Sequence, residues 1–347
     1  MSWQDILGHE NVVESFRKCV QRGRLASSFL FAGPPGVGKF RFALELSAAL
    51  LCENCPGGEL DACGTCPACQ QVHSESHPDL EIVRKPANRS YLPLEFFVGD
   101  KDHRLREGLC HRISLKPFYG GRKIAIIDDA DDLNLESANC LLKTLEEPPP
   151  RSVLILIGTS EHKQLPTIRS RCQIIRFGAL PLEIVQRLII EQGLAADAEA
   201  ARDLAELSEG SLTMAQEFAD EELRDFREQL FRHLAHPHSD SVAFAKTLTA
   251  FVDQAGKDAP AKRRRMRQVI LSAATFYRTW LRHQAGALFA KSEDIMQRTI
   301  GEALDKWPQG QQHVADKLDR CLLAEDQLKA NANVSTLLEC WVDDLTG

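Results

Sequence analysis

A chain of 347 residues, 44% hydrophobic and 26% charged, has material for two or three packed domains, which excludes a disordered protein. Its net charge of −7 argues against a protein that coats nucleic acid unaided, so any DNA contact is expected to be local or shared with partners. No apolar run reaches the roughly 20 residues a membrane span needs, and the N-terminus lacks a basic region followed by an apolar core, so the expected setting is the cytoplasm, with no membrane partner.

Asp5 to Val20 opens with a turn-like Leu7-Gly8-His9 and carries Val12, Val13, Phe16 and Val20 at helical spacing, which predicts an amphipathic helix packed on a core. Phe29 to Ala32 is the first strand. It leads into Gly33-Pro34-Pro35-Gly36-Val37-Gly38-Lys39, a match to the phosphate-binding pattern G-x-x-x-x-G-K. The glycines of such a loop let backbone N–H groups converge on phosphate oxygens, and the lysine adds a point charge. A working loop then needs Ser or Thr, whose hydroxyl coordinates Mg²⁺. Here that position is Phe40. The next helix keeps Phe42, Leu46 and Leu50 on one face.

Of the 11 cysteines, five crowd into Cys52, Cys55, Cys63, Cys66 and Cys69, while the others are scattered. In a reducing compartment, crowding points to metal and scattering to buried thiols. Cys63/Cys66 and Cys66/Cys69 both have C-x-x-C spacing, and a fourth thiolate from Cys52 or Cys55 would close a tetrahedral, structural Zn²⁺ site. The surrounding Gly and Pro suggest a loop with no apolar core to bury these thiols, and His73 and His77 are expected to be solvated.

Leu80 to Val83 reads as the second strand. From Arg84 to Leu115 the pattern is poor, with a helix suggested only near Leu105 to Leu115. Lys123 to Asp131, KIAIIDDAD, is a β-branched strand ending in carboxylates, the Walker B pattern. There Asp128 would help hold Mg²⁺, and Asp129 stands where a water-positioning Glu is needed. Ala138, Leu141, Leu142 and Leu145 stripe a helix that Pro148-Pro149-Pro150 ends. Val153 to Gly158 and Cys172 to Phe177 complete five strands alternating with helices. The expected class is therefore α/β, a parallel sheet covered on both faces, with ligands at the strands' carboxyl ends, where Gly33 to Lys39, Asp128 and Thr159 all fall.

From Leu180 only helices are expected: a small three-helix unit interrupted at Gly193 and Gly210, then longer helices ending in Val334, Leu337, Leu338, Trp341 and Leu345 on one face. The run Lys262-Arg263-Arg264-Arg265-Met266-Arg267 reads better as a solvated helix start after Pro260 than as a nucleic-acid or partner contact. The expected divisions are 1–178 for the P-loop domain with its cysteine insert at 52–69, 179–220 for a small helical lid, and 221–347 for a helical collar.

GPPGVGK, the cysteine insert, IIDDAD, NCLLKTLEEPPP, LPTIRSRCQ and NANVSTLLEC together resemble the delta-prime family of the bacterial DNA polymerase III clamp loader. The resemblance implies a P-loop AAA+ module, a lid and an oligomerisation collar in a five-subunit ring that loads the sliding clamp on primed DNA during replication. It implies as partners the gamma/tau and delta subunits, the clamp and primer-template DNA, and little or no ATP turnover by this chain. It also selects Cys52 with Cys63, Cys66 and Cys69 as zinc ligands, and gives Arg171 of Ser170-Arg171-Cys172 the role of an arginine finger in a neighbour's ATP site. Where ATP-hydrolysing relatives carry an arginine after Gly-Ser-Leu, this chain has Gly210-Ser211-Leu212-Thr213. The alternative is an active ATPase subunit of the gamma/tau type, against which stand Phe40, Asp129 and Thr213. A zinc-dependent nucleic-acid binder is disfavoured because Glu53, Glu59 and Asp61 make the insert acidic. Whether Lys39 still retains a nucleotide is left open.

Overall fold

The structure, a computed structural model, describes residues 3–55, 59–86, 89, 91–100, 102, 106–119, 121–235, 240–256, 258–286, 295–306 and 311–346. The chain divides into two compact units, Met1–Val185 and Gln186–Gly347.

The first unit is built on five parallel strands: β1 (Ser28–Ala32), β2 (Leu80–Val83), β3 (Lys123–Ile127), β4 (Ser152–Gly158) and β5 (Gln173–Arg176), in the order β2-β3-β4-β1-β5. Side chains alternate across a strand, so β1 sends Phe29 and Phe31 to one face and Leu30 to the other. On the first face Phe16 of α1 (Glu10–Gln21) and Phe42 of α2 (Lys39–Leu51) join Phe29, Phe31, Phe177 and Trp3 in a chain of ring contacts 5.1–6.3 Å apart. On the second face Leu30, Ala125, Ile127, Leu154 and Leu156 pack with Phe97, Leu109, Ala138, Leu141 and Leu145. Burial on both faces explains why β1, β3 and β4 read as unbroken apolar runs.

The second face is covered by α4 (Glu95–Val98), α5 (Leu109–Ser114), α6 (Leu135–Glu146) and α7 (Pro166–Arg169), and α3 (Pro67–His73) packs with α2. All five expected strands are present. The expected helix near Leu105 to Leu115 is α5, with Leu105 outside the described residues.

Three expectations are corrected. The segment around Cys66 is not an open loop: the Cys66 thiol caps α3, and Cys66 and Cys69 are buried in a small cluster with Ala68. Neither histidine is solvated. His77 is buried and its Nδ1 accepts the Asp79 N–H at 3.0 Å, while His73 Nε2 lies 3.1 Å from the buried Glu45 carboxylate. The third correction concerns the basic run. It does start a helix, α13 (Ala259–Gln284), but within the run only Arg264 is exposed. Arg263 donates to the carbonyls of Leu328 and Ala332, Arg265 pairs with Glu222 at 2.8 Å, and Arg267 bridges Glu217 and Glu325.

The other helices are α8 (Leu182–Glu191), which runs across the boundary between units, then α9 (Ala198–Leu207), α10 (Leu212–Phe218), α11 (Glu221–Leu234), α12 (Ser241–Gln254), α14 (Ile295–Lys306), α15 (Gln311–Lys329) and α16 (Val334–Thr346). The second unit is centred on α13, whose Phe276, Tyr277 and Trp280 are fully buried. Phe231 of α11 stacks on Phe276 at 5.1 Å, and Leu337, Leu338, Trp341 and Leu345 are the buried face of α16.

Candidate nucleotide and metal sites

The phosphate loop joins β1 to α2, and its glycines are there for backbone reasons. Gly36 and Gly38 have φ of 71° and 93°, in the left-handed region that costs other residues energy. At Gly33 an added Cβ would lie 2.2 Å from the Phe177 carbonyl oxygen. Because backbone cannot step aside cheaply, Gly33→Ala is expected to destabilise the first unit by more than about 2 kcal/mol, read as a lower urea midpoint at unchanged m-value.

The loop is held from below by a contact sequence reasoning missed. Buried His9, read only as part of a turn, donates from Nε2 to the Val37 carbonyl at 2.7 Å and stands edge-on to Phe177. Lys39, also buried, donates to the carbonyls of Gly33 and Pro34 at 2.6 Å each. Burial pulls its ammonium down to about 8, against the opposing pull of Asp131, Asp128 and Asp129.

The carboxyl ends of β3 and β4 bring the Walker B acids to the same edge. Asp128 Oδ1 accepts the Asp129 N–H at 3.1 Å, and burial with the Asp129 charge raises its pKa above the usual carboxylate range. Asp129 occupies the left-handed region at φ 56°. Asp131, quoted in the motif but given no role, is the hub: it accepts the N–H and hydroxyl of Thr159 and the side-chain amide of Gln164. Gly158 makes room for this carboxylate, since a Cβ there would meet Asp131 Oδ1 at 2.5 Å.

Next to Asp128 stands a residue no motif announced. Arg84 follows β2 directly, and β2 pairs with β3 in register Val83 to Ile127. Its guanidinium carbon lies 4.2 Å from the centre of the Phe40 ring, its Nε 3.9 Å from Asp128 Oδ2, and its terminal nitrogens each 2.7 Å from Glu75. A charged residue just past a buried strand was the available signal, but the pairing of β2 with β3 had to be known to use it. Mg²⁺ demands near-octahedral oxygen ligands at about 2.0–2.1 Å. Phe40 offers no oxygen, and a guanidinium already faces Asp128, so these residues do not fit magnesium.

The thiol sulfurs of Cys52, Cys63, Cys66 and Cys69 all lie within 4.8 Å of one another, and this group can hold a metal ion. Cys52 and Cys66 are 4.0 Å apart, close to the roughly 3.8 Å edge of a tetrahedron with about 2.3 Å metal–sulfur bonds. N–H groups point at the sulfurs: Cys66 N–H to Cys63 at 3.3 Å, Cys69 N–H to Cys66 at 3.4 Å and Cys63 N–H to Cys52 at 3.5 Å. Such donors favour thiolate, and those of Thr65 and Cys66 draw Cys63 down to about 5. Four thiols turned inward with amides behind them suit a soft ion such as Zn²⁺. Cys55 is not in the group.

Arg171 lies elsewhere on the first unit, between α7 and β5. It is held by Glu146 of α6, from Nε at 2.9 Å and from a terminal nitrogen at 2.5 Å, and by the Thr167 carbonyl and the Ser170 hydroxyl.

A family model described as DNA polymerase III, delta subunit, matches residues 8–181. The chain belongs to this family. The matched stretch contains the phosphate loop, the cysteine group, Asp128 and Arg171. Among curated proteins the chain is similar to DNA polymerase III subunit delta′ of Pseudomonas aeruginosa, 34% identical over 215 residues, covering 60% of each chain. Subunit tau of Escherichia coli is 32% identical over 225 residues, 63% of this chain and 33% of that one. Subunit delta′ of Bacillus subtilis is 30% identical over 193 residues, 55% of this chain and 54% of that one. The alignments therefore span less than two thirds of these relatives. A solved gamma subunit-related protein from Thermotoga maritima superposes over 96% of this chain and 98% of its own at a TM-score of 0.39 and 16% identity, too distant to bear on function. The resemblance to clamp-loader subunits read from the motifs thus stands as family membership. Among the described residues no helix is long and apolar enough to cross a membrane.

Proposed function

We propose that this chain is a clamp-loader subunit that does not hydrolyse ATP and instead completes the ATP site of a neighbouring subunit with Arg171. The observation that carries the first half is the contact between Phe40, Arg84 and Asp128. The hydroxyl that would ligate Mg²⁺ is absent, and the carboxylate that would share the ion faces a fixed cation. Asp129 and Thr213 point the same way. The second half rests on family membership and on the position of Arg171 in the Ser-Arg-Cys motif, whose guanidinium is already oriented by Glu146.

On this reading the partners are gamma/tau and delta subunits, the sliding clamp and primer-template DNA inside the complex, in the cytoplasm. Residues 1–178 and 179–220 act as the AAA+ module and its lid, and 221–347 as the collar. Cys52, Cys63, Cys66 and Cys69 hold a structural Zn²⁺, whose four protein ligands leave no position open for chemistry.

The pure chain is expected to turn over ATP no faster than a protein-free control in a steady-state phosphate-release assay with Mg²⁺. Turnover that Lys39→Ala abolishes would instead mark an active ATPase of the gamma/tau type.

A further inference from the structure

The carboxyl edge of the sheet carries a positive charge besides Lys39. Arg84 lies against the two residues that, in a working phosphate loop, would face the metal: the position after the lysine, here Phe40, and the first Walker B acid, Asp128. Each contact suits a guanidinium. A planar cation is attracted to the face of an aromatic ring, the more so where it is shielded from water. The bidentate pair with Glu75 fixes the plane, and Glu75 is itself fixed in a left-handed turn at φ 58°, with its N–H on the Val72 carbonyl. A hydroxyl in place of Phe40 would give the guanidinium no face to lie on, so the aromatic residue and the arginine explain each other.

We propose that Arg84 is a resident cation in the place of Mg²⁺, making the phosphate loop a metal-independent binding site for the di- or triphosphate chain of a nucleotide. The loop retains the parts that grip an anion: the N-terminus of α2, the glycine turns, and Lys39, whose ammonium would have to leave the Gly33 and Pro34 carbonyls to reach a phosphate. Arg84 adds one fixed positive charge, and the guanidinium N–H groups that do not face Glu75 are the ones that could reach phosphate oxygens. It cannot do the rest of the metal's work, because a guanidinium neither organises six oxygens nor activates a water. The site so described holds phosphates without breaking them. This inference rests on the non-hydrolysing reading and deepens it.

The test is titration of the full-length chain with a fluorescent ATP analogue, once in excess Mg²⁺ and once in EDTA, with phosphate release followed in the same samples. The expected result is binding whose Kd agrees within about twofold in the two buffers, and a Kd at least about tenfold weaker in EDTA for Arg84→Ala. Arg84→Lys keeps the charge but loses the planar stack and the Glu75 fork, so it should fall between the two. The Phe40→Thr, Arg84→Ala double variant should become Mg²⁺-dependent. Circular dichroism melts of each variant separate lost binding from lost folding, and the double variant's gain of metal dependence cannot arise from unfolding. No binding in EDTA, binding tightened tenfold by Mg²⁺ in the wild-type chain, or EDTA binding unchanged by Arg84→Ala would each overturn the proposal. If those occur without phosphate release, the non-hydrolysing reading survives. Phosphate release by the wild-type chain overturns both.

Discussion

In a reconstituted clamp loader, Arg171→Ala is expected to lower clamp- and DNA-stimulated ATP turnover by at least about tenfold at the site this chain faces, while the complex still assembles. Arginine fingers supplied in trans are worth about 10³–10⁵ in rate, so one site among several still leaves a measurable loss. The guanidinium suits the task because it stays charged and offers a planar fork to phosphate oxygens as charge moves in the transition state. In this chain it is half-exposed and braced by Glu146, Thr167 and Ser170, so little side-chain freedom remains to be lost on engagement. The bracing gives a second arm. Glu146→Gln removes the ion pair, and on the proposed role it should slow turnover less than Arg171→Ala does. Arg169→Ala is the control for neighbouring charge, since the Arg169 Nε is buried in the fold. Normal assembly with unchanged turnover and clamp loading in Arg171→Ala would remove the trans role.

Loss of the metal is the second large effect expected. Structural Zn²⁺ contributes about 10–16 kcal/mol of apparent binding energy in isolated zinc-finger peptides, and loss of a metal belongs among changes that cost a domain more than about 4 kcal/mol. The purified chain should carry one equivalent of zinc by elemental analysis. Cys52→Ser and Cys69→Ser should each lose it and melt earlier, whereas Cys55→Ser should keep it, because that sulfur lies outside the inward-facing group. Cobalt substitution gives an independent reading, with a thiolate charge-transfer band expected in the wild type and in Cys55→Ser but not in Cys52→Ser. A zinc-free chain, or one that loses zinc only on Cys55→Ser, would refute the assignment.

What was legible in the sequence was local. Apolar runs ended by glycine or carboxylates marked β1, β3 and β4, because strands buried on both faces have no polar side to blur the pattern, while β2 and β5 at the sheet edges are shorter and partly exposed. The phosphate loop was equally plain, its glycines being demanded by turns that the following helix cannot relax. What was hidden depended on distant pairing. Arg84 lay in a charged stretch without pattern, and only the adjacency of β2 and β3 carries it to Asp128 and Phe40. Cys66 and Cys69 seemed to lack a core because theirs is made of the cysteines and a few alanines drawn from separated positions. His77 and the arginines of α13 looked solvated for the same reason: their partners, including the carbonyls of Leu328 and Ala332, lie tens of residues away or behind a turn that composition does not report.

The helix that carries Cys69 ends two residues before Glu75, and Glu75 grips Arg84 beside the phosphate loop. A metal that orders this helix therefore also orders the carboxylate that aims the guanidinium. Two ligands that favour the same arrangement of one segment must strengthen each other by an equal factor, whichever arrives first. On the proposed readings, zinc and nucleotide, bound at separate places and sharing no atom, would be thermodynamically linked: stripping the cysteines should weaken nucleotide retention, and nucleotide should slow the escape of zinc to a chelator. Where such a chain performs no turnover, as proposed, the metal would then serve as the set-point of its affinity for nucleotide.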